Sequence, residues 1–95
     1  MNKGKTYLDK MSCIKRELGV TYTDLEYYLH IKGIKRYYDG NYYDAKTIRN
    51  MLMLEKRDPN LHKWISHFLS FVKLKANAGT LTGFKKDVRN YFKNK

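Results

Sequence analysis

The chain has 95 residues, 42% hydrophobic and 31% charged, which suits one small globular unit and excludes a disordered tail. Its 20 Lys and Arg against 9 Asp and Glu leave a charge of +11, a field that favours a polyanion: DNA, RNA or an anionic membrane surface. No apolar run nears the roughly 18 residues of a membrane span, and the opening "MNKGKTYLDK" has no signal-peptide core. The single Cys13 precludes an intrachain disulfide, and a reducing cytoplasm is expected.

The charge is uneven. Residues 1–54 carry ten Lys and Arg against six Asp and Glu, whereas residues 55–95 carry ten against three. The first predicted helix is "TYLDKMSCIKRELG", where Leu8, Met11, Ile14 and Leu18 recur at helical spacing. Thr6 and Asp9 have capping spacing, and Gly19 suits a left-handed stop. Cys13 is expected at the edge of the apolar stripe as a small buried residue. A second helix is read in "TYTDLEYYLHIKG", capped by Thr21 with Asp24, burying Leu25 and Leu29 and closed by Gly33. The tight "LGV" corner between the two is the sequence form of a helix-turn-helix.

The stretch "IKRYYDGNYYDAK" follows. Asp39-Gly40 signals a β-hairpin, because a type I′ turn needs positive φ at both central positions. A turn centred there pairs Tyr37 with Tyr42 and Arg36 with Tyr43, and a turn centred on Gly40-Asn41 shifts the register. Asp44 then caps a third helix, "AKTIRNMLMLEK", with Ile48, Met51 and Leu52 inward. "RDPN" supplies Asp58 as cap and Pro59 at the first helical position of a fourth. Its stripe of Leu61, Trp64, Ile65, Phe68, Leu69 and Val72 reads as core. If Trp64 and Phe71 are exposed, they point to a protein partner or a dimer. A last helix from about Thr82 turns Phe84, Val88, Tyr91 and Phe92 inward and Lys85, Lys86, Arg89 and Lys93 outward.

"IKRELGVTYTDLEYYLHIKGIKRYYDGNYYDAKTIRNML" resembles the winged helix-turn-helix of excisionase and MerR-like proteins in order and spacing. In size, charge and its tyrosine-rich wing, the chain also resembles the small single-stranded-DNA-binding proteins of staphylococcal cassette chromosome elements. The resemblance implies a fold that is mainly α with a small β-hairpin. Residues 1–57 would form the winged helix-turn-helix, and residues 58–95 a C-terminal helical hairpin packed on it.

A duplex reader needs cations and base-edge donors on its second helix. The outward positions expected here are Thr23, Glu26, Tyr27 and His30 with Asp24 beside them, and no Lys or Arg lies between Gly19 and Lys32. The wing offers the opposite. Lys32, Lys35, Arg36, Lys46 and Arg49 bracket Tyr37, Tyr38, Tyr42 and Tyr43, and a basic path beside aromatic faces is how single strands are held. Core packing is expected to claim about half of those rings. Lys85, Lys86 and Arg89 extend the path or form a solvated face.

His62 and His67 are poorly spaced for shared ligation, and one cysteine completes no zinc site. With no phosphate loop, carboxylate pair or nucleophile–base signature, neither catalysis nor a cofactor or metal is expected. The expected function is single-stranded DNA binding in the replication or transfer of a mobile element, with a replicative helicase or another element-encoded replication protein as possible partner. Two alternatives stay open: a duplex-specific excisionase or regulator, and an adaptor that binds a host or replication protein.

Overall fold

The computed structural model describes residues 3–36, 39–54 and 58–94, the first three of these by backbone alone. Five helices follow one another: α1 (Lys3–Leu18), α2 (Tyr22–Ile31), α3 (Ala45–Met53), α4 (Pro59–Asn77) and α5 (Leu81–Lys93). α2 is central, packing on α3, α4 and α5, while α1 packs on α3 and α4. One core runs through all five: Met11 and Ile14, Leu25 and Leu29, Ile48 and Leu52, Ile65, Phe68 and Val72, Phe84 and Val88.

Most helix ends follow local chemistry. Thr21 N–H donates to Asp24 Oδ2 at 2.7 Å, Thr47 N–H to Asp44 Oδ1 at 2.7 Å, and Leu61 N–H to Asp58 Oδ1 at 3.0 Å. Each carboxylate takes an amide that the helix itself cannot pair. Thr6 is no cap, because α1 begins earlier, at Lys3. Cys13 is exposed rather than buried, with Arg16 Nη2 donating to its sulfur at 3.4 Å.

The expected β-hairpin is not formed. Among the described residues there is no strand, only an isolated antiparallel bridge between Lys35 and Tyr42, so the fold is all-α rather than mainly α with a hairpin wing. The cause is a shortage of free backbone. Gly33, at φ +69°, closes α2 by sending its N–H to His30 O, while Ile34 N–H reaches Leu29 O, and these two bonds take the amides that would begin a ladder. On the other side Asp44 already serves α3. Between them Arg36 N–H donates to Asn41 O at 2.7 Å and Gly40 N–H to Arg36 O at 3.0 Å, which sets a longer loop than a two-residue turn. Arg36 therefore opposes Asn41 and not Tyr43. The Tyr37–Tyr42 pairing lies outside the described residues. Asp39 tightens the loop as an Asx turn, accepting from Asn41 N–H at 3.0 Å. That backbone bond, followed by the Arg36 guanidinium, holds its carboxyl below the ordinary range.

Tyr43 ties this loop to the C-terminal helices. Its ring is fully buried, and its hydroxyl donates to Asp58 Oδ2 at 2.5 Å, on the carboxylate that also caps α4. Tyr43→Phe is expected to cost about 1–3 kcal/mol, since it strips a donor from a buried carboxylate while keeping the ring. Urea unfolding of the variant against wild type checks this. A second expectation concerns pH. The Thr47 amide lowers the carboxyl of Asp44 from its ordinary 3.8. Its contribution is therefore complete above the unfolded value and lost as pH falls through the lower folded one. Asp44→Ala should cost about 1 kcal/mol at neutral pH, a deficit that closes in acid when thermal unfolding is followed across pH.

Candidate nucleic-acid interface

Of the α2 positions that a duplex reader would present, Asp24, Tyr27 and His30 meet α5, while Thr23 is exposed. Tyr27 meets Phe84 and Tyr91 edge-on, with ring centroids at 5.8 and 5.2 Å. His30 Nδ1 and the Tyr91 hydroxyl share a 2.6 Å hydrogen bond. Lys85 Nζ donates to Asp24 Oδ2 at 2.6 Å and to Gly19 O at 2.9 Å, bridging α5 to the corner before α2. Asp24 is buried, so it is a cap with a cation and not an outward carboxylate. Glu26 is also occupied, accepting from Ala45 N–H at 2.8 Å at the start of α3. Both acids are thus engaged within the fold, Asp24 with Thr21 and Lys85 and Glu26 with Ala45.

The residues expected on a wing separate into distinct roles. Tyr42 is 44% exposed, with Lys35 Nζ 5.0 Å from its ring centroid and His30 behind it at 4.4 Å between rings. Tyr43 is core. Arg36 is committed to Asp39 through two hydrogen bonds, Nε at 3.0 Å and Nη2 at 2.6 Å. Tyr37 and Tyr38 lie outside the described residues. Lys46 and Arg49 are exposed on α3; Arg49 lies close enough to oppose the rise that burial imposes on the half-buried Tyr22 hydroxyl. Lys32 follows α2 and places Nζ 5.7 Å from the Tyr28 ring. Lys86 and Arg89 are exposed on α5, whereas Lys85 is held by Asp24. Among the described residues, only Arg36 and Lys85 form ion pairs with carboxylates.

A second set of rings lies on α4. Trp64 and Phe71 are partly buried, and each has a lysine near its face: Lys63 Nζ at 5.9 Å and Lys75 Nζ at 5.5 Å. The sequence signal for it was the absence of any acid between Asp58 and Asp87. Elsewhere, an open groove of about 550 Å³ between α1 and α4 is lined by Asp9, Cys13, Glu17, Ser66 and Lys73 among others. It is of mixed charge, unlike the cationic faces. No helix among the described residues is long and apolar enough to cross a membrane, and no described group of three His, Cys, Asp or Glu side chains is placed to hold a metal.

The two basic neighbours Lys85 and Lys86 should separate on mutation. Lys85→Ala is expected to destabilise by about 1–3 kcal/mol, because a buried carboxylate loses its cation. Lys86→Ala should stay within about 0.5 kcal/mol of wild type, as a surface change does. Denaturant unfolding of both variants checks the contrast. No protein family, curated protein or solved structure matches this chain.

Proposed function

We propose that this chain binds single-stranded DNA without catalysing a reaction. The observation that carries the reading is Tyr42: a half-exposed ring, backed by His30, with the Lys35 ammonium at its face. Bases stack on such rings for about 1–3 kcal/mol each, and neighbouring lysines neutralise the strand's phosphates. Lys32, Lys46 and Arg49 supply cations on the adjoining elements, with Lys86 and Arg89 on α5. The charge of +11 makes the attraction long-ranged at low salt. α5 across α2 disfavours the alternative of a major-groove reader, which needs that helix face bare. A role in the replication or transfer of a mobile element, beside a helicase or replication protein, rests on the resemblance in size, charge and tyrosine content.

Binding of matched single- and double-stranded oligonucleotides across a salt series tests the proposal. Single strands should bind more tightly at every salt concentration. Tyr42→Ala should weaken single-strand binding by about 1–3 kcal/mol with the fold intact by circular dichroism. Lys35→Ala should lower the slope of log K against log salt by about 0.7. Equal or tighter binding of a duplex would overturn the reading.

A further inference from the structure

α4 spans 19 residues, and from Pro59 through Lys86 the chain has no carboxylate to oppose an anion. Trp64, His67, Phe71 and Lys75 follow at spacings of three and four, which puts them on one face over about 16 Å of helix. Trp64 and His67 rings lie 5.2 Å apart. Beneath them the nearly buried Tyr28 of α2 forms a floor, its centroid 6.5 Å from Trp64 and 5.0 Å from Phe71. Three lysines surround these rings: Lys32 at Tyr28, Lys63 at Trp64 and Lys75 at Phe71.

A core helix buries its aromatics under apolar neighbours, and a protein-binding face is typically depleted in lysine. This face does neither. Tyr28, Trp64 and Phe71 each have a lysine, α4 itself contains no acid, and Trp64 and Phe71 are held from below by Tyr28. Such a combination fits a chain of flat bases joined by phosphates: a base takes the ring face while the displaced ammonium moves to the adjacent phosphate.

We propose that the Trp64–His67–Phe71 face of α4, floored by Tyr28 and flanked by Lys32, Lys63 and Lys75, is a second stacking surface for single-stranded DNA, with Trp64 as its principal platform. The inference rests on the single-strand reading above and extends it to a surface away from Tyr42. Lys32, the C-cap of α2, opens the chain segment that leads to Tyr42 and sets its Nζ 5.7 Å from the Tyr28 ring.

Trp64 is the single tryptophan, so its emission, excited beyond the absorption of tyrosine, reports on this surface alone. The full chain is titrated into end-labelled oligothymidylate, with label anisotropy reporting binding and tryptophan emission reporting stacking. Emission should be quenched with the same midpoint as the anisotropy rise. Trp64→Phe should bind within a few-fold of wild type, while Trp64→Leu should bind about 5- to 150-fold more weakly. Because position 64 is partly buried, a second variant guards against misfolding. Lys63→Gln with Lys75→Gln, both near the helix surface, should lower the salt slope by about 1.4 with an unchanged circular dichroism spectrum. Oligonucleotide binding with silent tryptophan emission and an unchanged salt slope in the double variant overturns this surface and leaves the Tyr42 site standing. No anisotropy change at low salt overturns both.

Discussion

Asp24 Oδ2 is the point on which the arrangement of the helices turns. It accepts from Thr21 N–H at 2.7 Å, from Thr21 Oγ1 at 3.2 Å and from Lys85 Nζ at 2.6 Å. A carboxylate buried this far is tolerated only when its charge is met and its lone pairs are filled. The first bonds start α2, and the last fixes α5 across it. Lys85 also reaches Gly19 O, in the corner that sets the angle between α1 and α2. One acidic oxygen thus couples the local geometry of a turn to the docking of the last helix, 61 residues on.

Four further acids are used in a related way. Asp44 and Asp58 hold helix amides, Glu26 holds the first amide of α3, and Asp39 holds a turn amide and a guanidinium. Asp24 and Asp58 are buried, so their charge is turned away from the solvent-facing lysines. Surface ion pairs contribute little to stability in any case, so the exposed lysines are left to act through the field they create.

The helices were legible because their signals are local. Asp44, Asp58 with Pro59, Thr21 with Asp24, and the Leu61–Val72 stripe each act within a turn or two of the chain. The hairpin was misread because Asp39-Gly40 is a local signal that loses to its flanks: Gly33 and Ile34 are already committed to closing α2, and Asp44 to opening α3. Register then has room for a single bridge. Partners distant in sequence were the illegible part. Nothing near Asp24 reveals Lys85, nothing near Tyr43 reveals Asp58, and the half-burial of Trp64 depends on Tyr28 from another helix. The outward face assigned to α2 by periodicity was outward only with respect to the core formed by its nearer neighbours.

Docking of α5 engages α2 in two ways. It packs on Tyr27 and His30, on the side of α2 that faces away from α3 and α4 only in part. It also holds His30 through Tyr91, and His30 in turn stands 4.4 Å behind Tyr42. A tyrosine on an unsupported loop would lose rotamer freedom on stacking against a base, which offsets part of the gain. Tyr42 has given up much of that freedom already, between the ring behind it and the bridge to Lys35. Trp64 is in the same position over Tyr28. In the proposed function, then, the contact that docks α5 on α2 is the one that prepares a ring for a single strand.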